Sequence, residues 1–434
     1  MEMLDNKQNR TKVLLLLVIY KIVIEFYYLK RISPLFSYAL LETHINWMGC
    51  AVSWILLVAL WLAMPRDEGK TSTILFLLFT IITWIPLISY QWMNNQDLLY
   101  SIAEVACAGI LAIMMRIKRP RFTIGRLSVP MSFFNLVFLI YCAINIYEVI
   151  KRGGIDLRTL DFIAAYDVRS EYSGLGSLDG YLVEWCAKAF FPFFCVIYIS
   201  QKKYIRVAVC VVLQLSLYLS FGFKSHLVSI ALVVLCLFTM NKKNKLENLI
   251  KYIVLANVIA YLLDISNITN LLRTVLPYRT LFIPAKNQYH YYQFFSENDH
   301  LFMTGTSIGR LLFGDYKYNK PIGFVVEAAF TNSGSNGNTG CFSYAYADFG
   351  FVGMVILVLV LGVIFWLIDD LTDDIPMKYS VAAFSYWIIT LNDNSIMISL
   401  LTGGFLWLFL LSIMYSKTFS AGGMLFDSER RLLN

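Results

Sequence analysis

The sequence predicts an all-α polytopic membrane protein, with about 12 transmembrane helices and two long loops on one face. Three observations predict it. Of 434 residues, 58% are hydrophobic and 15% charged, and the mean hydropathy is +0.62, outside the range of ordinary soluble domains. Apolar runs of about 20 residues, the length of helix that crosses a bilayer, follow one another between short polar breaks. Basic residues gather in alternate breaks, as expected when positive charge is retained on the cytoplasmic side.

The runs lie near 13–30, 46–64, 72–90 and 97–115, then 130–150, 181–200, 204–221 and 225–240, and last 249–264, 346–368, 378–394 and 396–415. TSTILFLLFTIITWIPLISY, following the break PRDEGK, is typical. Tight hairpins join the pair around FGFKSH (221–226) and the pair around LNDNS (391–395), and a miscount at either would invert everything downstream. LLLLVIY at 14–20 follows a basic N-terminus but precedes no small-x-small cleavage site, so it reads as an uncleaved first span. With the N-terminus inside, twenty-one of the 36 Lys and Arg are cytoplasmic, and the short outer breaks hold only Lys30, Arg31 and Lys224. An even number of spans with both termini cytoplasmic is therefore expected.

Several functions are disfavoured. Seven of the eight cysteines fall inside the spans and no CxxC pair occurs, while Cys341 has no obvious partner near the outer surface. His44, His226, His290 and His300 lack the i, i+4 spacing of a metal pair, so neither a metal nor another cofactor is expected. No Walker loop, nucleophile elbow or dinucleotide fingerprint occurs, and no nucleic acid is expected as a partner. DDLTDD at 369–374 reads as a solvated acidic turn on the cytoplasmic side.

An ionisable residue inside a span is a functional candidate because of what burying its charge costs. Glu184 and Lys188 lie four apart on one helix face, as do Lys21 and Glu25 in reverse order, and both read as structural pairs. Glu104 has no partner nearby in sequence.

The single membrane domain carries its functional signal in the two long loops, at about 151–180 and 265–345. The first holds Leu160, Ile163, Ala164 and Tyr172 among Arg158, Asp161, Asp167, Arg169 and Glu171, the pattern of a short amphipathic helix at the interface. Arg169 would sit near lipid headgroups there, or pair with Asp167 or Glu171. The second concentrates aromatics, amides and cations in LPYRTLFIPAKNQYHYYQFFSENDH. Disordered spacers are poor in aromatics, so short helices packed over the mouth of the bundle are expected. Tyr291 and Tyr292, with Tyr289, Phe294 and Phe295, have the chemistry to stack on sugars or to form an interfacial belt. Arg279 and Lys286 beside them suit phosphate oxygens.

SGSNGNTGCFSYAYADFGFVGM closes the second loop, bringing Asn338 and exposed backbone amides close to a span that begins near Phe349. Asp348 at that point reads as a helix cap or a catalytic carboxylate. Lys224, Ser225 and His226 stand at an outer membrane edge, where a lysine either snorkels to headgroups or contacts phosphate.

FGFKSH (221–226), YRTLFIPAKNQYHYYQFF (278–295) and NTGCFSYAYADFGFVGM (338–354), with the topology of most of the chain, resemble the Wzy-type O-antigen polymerases, the repeat-unit polymerases of bacterial surface polysaccharides. The first loop is similar to theirs only in placement and in its arginine. The resemblance implies a C-type glycosyltransferase-like bundle in the bacterial inner membrane, with both long loops periplasmic. It implies transfer of a glycan from undecaprenyl pyrophosphate to a new lipid-linked repeat unit with inversion at the anomeric carbon. Membrane lipids and a protein regulating chain length are its expected partners. Arg169, Lys224 and Arg279 would stabilise the leaving pyrophosphate, and Asp348, Glu327 and His226 are candidate bases. The metal-dependent branch of such enzymes carries an acidic pair in its first outer loop. Here residues 31–45 offer only Glu42, which favours the metal-independent branch. A lipid-linked oligosaccharide flippase, expected to show two related halves, and an O-antigen ligase, with the same chemistry and another acceptor, are the alternatives.

Overall fold

The computed structural model describes residues 2–117, 127, 129–161, 164–171, 178–331 and 334–421. Among them every regular element is helical. The principal helices are α1 (Glu2–Tyr27), α2 (Trp47–Ala63), α3 (Thr71–Met93), α4 (Leu98–Arg116), α5 (Met131–Lys151), α6 (Leu178–Ser200) and α7 (Tyr204–Phe221). They continue as α8 (Ser225–Met240), α9 (Lys245–Ile265), α10 (Ile283–Glu297), α11 (Cys341–Thr372), α12 (Met377–Asp393) and α13 (Ile396–Tyr415). Eight of these, α3 to α7, α9, α11 and α13, are long and apolar enough to cross a membrane, while α2 and α8 are apolar but shorter. Each apolar run read from the sequence coincides with one of these helices, and α10 is an addition from the second long loop.

Helix α3 is the central pillar, buried along its whole length, which explains why its sequence is apolar on every side. Around it stand α1, α2, α4, α10, α11 and α12. The outer helices turn large apolar side chains outward, among them Ile55, Leu139, Val212, Val352 and Ile356. Apolar surface on that scale is what lipid tails cover, and it gives the chain the character of a multi-pass membrane protein.

Four helical segments among the described residues widen to π geometry: Tyr28–Ile32 after α1, Thr80–Trp84 in α3, Cys186–Phe190 in α6 and Thr274–Phe282 leading into α10. Each ends two residues before a proline: Pro34, Pro86, Pro192 and Pro284 in turn. Proline donates no N–H and its ring clashes with the carbonyl four residues back. A helix that continues through it opens locally, and carbonyls lose their partners.

In an apolar surrounding those carbonyls must find other donors, and neighbouring helices supply them. The Tyr20 hydroxyl donates to Ile81 O at 3.0 Å. Gln214 Nε2 and Ser229 Oγ donate to Ala187 O at 2.9 and 3.0 Å. Asn392 Nδ2 donates to Thr280 O at 2.9 Å, and its Oδ1 accepts from Thr83 Oγ1 at 2.8 Å. One buried asparagine thus ties the opening in α3 to the opening before α10. At Tyr28–Ile32, Arg31 reaches Asp264 at the end of α9 at 2.8 and 3.2 Å, and Arg273 closes on the same carboxylate.

One expectation needs correction. DDLTDD is not wholly a solvated turn, because Asp369 Oδ1 accepts from Ser72 N at 2.9 Å and Oδ2 from Ser72 Oγ at 2.7 Å. It caps the start of α3 from another helix, since those first amides have no partner of their own. The span expected to begin near Phe349 does so: α11 consists of a first segment from Cys341 and, beyond non-helical backbone at Phe349 and Gly350, the long apolar helix that runs to Thr372. Gly350 has φ +62°, and a Cβ there would lie 3.1 Å from His300 Nε2, so glycine fits where the loop crosses the break.

Replacing Gln214 with Leu and Ser229 with Ala together removes both side-chain donors from Ala187 O inside an apolar bundle. We expect a loss of about 1–3 kcal/mol of stability, the cost of a buried polar group left unsatisfied, measured as a lower unfolding temperature in detergent. A stability equal to the parent's would show that the carbonyl is otherwise satisfied.

Candidate functional site

Two clusters of ionisable side chains form at the end of the bundle where α7 meets α8, α12 meets α13 and the long loops attach. The first is built on the hairpin at 221–226. Helix α7 ends because Gly222 takes φ +70°, and a Cβ there would stand 2.6 Å from Ala165 O. The hairpin therefore packs directly against helix Ala164–Ser170 of the first long loop. That helix carries Arg169, whose guanidinium lies 4.9 Å from the centre of the Phe223 ring, a cation–π distance. Phe223 in turn packs on His226 at 5.4 Å.

His226 is fully buried at the start of α8, with Nε2 3.8 Å from Glu184 Oε1. Glu184 also pairs with Lys188, which lies within the π segment of α6. Lys188 and Arg279 are both within electrostatic reach of Asp393 at the end of α12. Arg279 itself is in the π segment before α10, 5.8 Å from the centre of the Tyr278 ring. Lys224 occupies the N-cap position of α8, where its carbonyl accepts from Leu227 N at 3.1 Å. Four separated stretches of chain thus bring Arg169, Lys224, Lys188 and Arg279 around one histidine and two carboxylates.

The second cluster lies beneath helix Ile322–Phe330. Lys286 Nζ is 3.4 Å from Glu327 Oε1 and donates to Ala39 O at 3.2 Å. His290, one turn along α10, has Nδ1 3.8 Å from Glu327 Oε2 and stacks on Phe330 at 4.2 Å. Burial opposes the charge on Glu327, but the neighbouring His290 ring and Lys286 ammonium outweigh it and hold the carboxyl down to about 2. Burial likewise pushes Lys286 and His290 below their ordinary values, with Glu327 opposing it in both.

The remaining candidates are dispersed. Tyr291 is fully buried with its ring 5.3 Å from Tyr344, and Tyr292 donates to Asp97 Oδ2 at 2.8 Å. The aromatic run was expected at the surface, either as a stacking platform or as a belt. It is instead core, because α10 enters the bundle against α11 rather than lying over its mouth. Asn338 is exposed and accepts from Asn287 Nδ2 through its carbonyl at 2.6 Å. Asp348 stands apart: Oδ1 accepts from Met303 N at 3.0 Å and its carbonyl from Phe302 N at 3.0 Å, so it anchors the 301–303 segment at the break in α11. In the first long loop, the expected amphipathic helix is present as Ala164–Ser170, while Ile163 and Tyr172 lie outside the described residues. Glu171, one expected partner of Arg169, pairs with Arg158 at 3.0 Å.

Sequence reasoning missed four members. Lys188 and Glu184 read as a structural pair, and they do pair, but against His226. His290 is four residues from Lys286 on one face of α10, and that spacing is the local signal that the two share a neighbour. Asp393 lay in a hairpin noticed only for its geometry. Lys21 and Glu25 form their pair, with Trp92 Nε1 donating to Glu25 Oε1 at 2.7 Å. Glu104, fully buried, lies within electrostatic reach of Tyr100, Tyr289 and Cys341. Among the described residues no three of His, Cys, Asp and Glu converge to hold a metal ion.

Compared with protein-family models, curated proteins and solved structures, the chain finds no match.

Lys286→Met strands Glu327 in a buried site, and a loss of about 3–5 kcal/mol is expected. Lys286→Met combined with Glu327→Gln should recover part of it, read as a non-additive double-mutant cycle in unfolding temperature. Additive losses would dissolve the pair. The pH dependence has a definite sign. The depressed carboxyl of Glu327 contributes stability above its ordinary value of 4.5 that is lost as pH falls toward about 2. His290, depressed from 6.5, also loses stability on acidification, because the unfolded chain binds its proton first. Glu327→Gln should flatten the acid limb below pH 4.5 in a thermal-shift series, and an unchanged limb would remove Glu327 from it.

Proposed function

We propose that the chain is a membrane glycosyltransferase that polymerises undecaprenyl-pyrophosphate-linked repeat units into O-antigen or capsular polysaccharide, as the resemblance to the Wzy-type polymerases implies. The observation that carries this reading is a chain of neighbours at the ends of apolar helices: Arg169 on Phe223 beside His226, His226 near Glu184, Glu184 paired with Lys188, and Lys188 and Arg279 both near Asp393, with Lys224 two residues before His226. In the corresponding topology twelve helices span the bacterial inner membrane, both termini are cytoplasmic, and this end of the bundle is periplasmic. A pyrophosphate headgroup on a lipid chain sits at that depth.

The reaction breaks the bond between the anomeric carbon and the phosphate oxygen and forms one to an acceptor hydroxyl oxygen. The electron pair of the broken bond leaves on the pyrophosphate. Fixed cations near the developing charge lower the barrier because they need no reorganisation, and guanidinium groups match phosphate oxygens in geometry. Arg279, Arg169 and Lys224 take this role, with Lys188 added by its position. The acceptor hydroxyl gives up its proton as it attacks. Of the candidate bases, His226 lies within the cation cluster and beside a carboxylate that would stabilise its protonated form. Glu327 is already committed to Lys286 and His290, and Asp348 to backbone amides. A single displacement at the anomeric carbon inverts it.

Purified protein supplied with lipid-linked repeat units in EDTA tests the reading. The parent is expected to form polymer, and Arg279→Ala to slow it by about 10²- to 10³-fold, the usual cost of one preorganised charge contact. Polymer formed by Arg279→Ala at the parental rate would sink the leaving-group role. Complete loss in EDTA by the parent would sink the metal-independent mechanism.

A further inference from the structure

The opposite end of the bundle holds a different arrangement. Arg66 after α2 and Arg116 at the end of α4 both lie within electrostatic reach of Arg10 on α1. The indole of Trp61 stands among them, with the Arg10 guanidinium 5.1 Å from its ring centre and its Nε1 donating to Arg10 O at 3.1 Å. Arg10, Trp61, Pro65, Arg66, Glu68 and Leu246 line a pocket there.

Among the described residues no carboxylate balances the arginines of this pocket. Arg116 spends one nitrogen, Nη2, on the last carbonyls of α2, Ala63 O at 2.6 Å and Met64 O at 3.0 Å, which explains its position as a helix C-cap. Arg10 donates from Nη2 to Trp61 O at 3.5 Å. A guanidinium has five N–H donors, and among the described residues no carboxylate pairs with Arg10, Arg66 or Arg116. Glu68, the acidic residue in the lining, is engaged by Lys245. Burial and the two like charges together push Arg10 below its ordinary value.

Next to the charges lies an apolar strip. Ile55, Val58 and Leu62 are exposed along one face of α2, and Ile113 and Ile117 are exposed at the end of α4. Cations with a tryptophan above, and exposed aliphatic side chains leading away along the helices, match an anionic headgroup on acyl chains. Tryptophan belongs at this depth of a bilayer, and basic pockets at helix ends recognise anionic lipids. We propose that this pocket binds the headgroup phosphate of an anionic phospholipid, held by Arg10 and Arg66, with its chains along α2. The assignment is independent of the glycosyltransferase reading.

The full chain, purified in neutral detergent, can be titrated with phosphatidylglycerol or phosphatidylcholine and followed by native mass spectrometry and unfolding temperature. Phosphatidylglycerol should be retained and should raise the unfolding temperature, and phosphatidylcholine should do neither. Arg10→Gln with Arg66→Gln should weaken retention about tenfold or more, since each basic residue adds roughly 1 kcal/mol at an anionic surface. Lys320→Gln, an exposed change on the second long loop, should leave it unchanged. If the double variant fails to fold, Arg66→Gln alone, at an exposed position, should still show a smaller loss. Equal retention by the variants would overturn the proposal. So would an equal rise with inorganic phosphate, which would make the ligand a soluble anion.

Discussion

Everything in this structure depends on one constraint: inside an apolar bundle a backbone carbonyl cannot be left without a donor. Four prolines within or beside long apolar helices each open the turn before them, and side chains on other helices donate to carbonyls in three of the openings. Tyr20, Gln214, Ser229 and Asn392 are therefore not incidental polar residues in a greasy core. They fix how α1, α7, α8 and α12 approach the opened helices. Asn392 shows it best, since its amide holds Thr280 O while its carbonyl oxygen takes the hydroxyl of Thr83.

The same openings position charge. Arg31, Lys188 and Arg279 all lie inside π segments. A widened turn shifts the angular position of the side chains that follow, and π segments recur at functional sites for that reason. Lys188 is brought to Glu184 and Asp393, and Arg279 to Asp393 from the other side. The cost of isolating a charge among apolar helices is offset by grouping charges of both signs. The first cluster remains partly open, with Arg169 and Arg279 exposed. The second, around Glu327, is closed and balanced. That contrast suits the first to the proposed chemistry, while the second joins α10 to helix Ile322–Phe330.

The two ends of the bundle divide the labour of charge. At one end cations mix with carboxylates and a histidine in a cluster assembled from distant stretches. At the other, arginines meet helix C-termini and a tryptophan, and find no carboxylate among the described residues. The negative ends of helix dipoles attract such cations, and the donors left over define the lipid pocket.

The amino-acid sequence by itself determined the helical membrane character, because length and apolarity of a run are local properties and the bilayer reads them one segment at a time. It also determined the local pairs Lys21 with Glu25 and Glu184 with Lys188, whose four-residue spacing needs only a helix. It marked Lys224 and His226 through a polar hairpin in an apolar stretch. Only the tertiary structure decided which of these groups meet. His226 finds Glu184 across two helices, Asp369 caps a helix nearly three hundred residues away in sequence, and Asp393 joins Lys188 and Arg279. It also decided that Tyr291 and Tyr292 belong to the core, because burial depends on what packs around α10 and not on its composition. Spacing along a helix is written in the chain; proximity between helices follows from how opened turns, prolines and buried donors lock the bundle together.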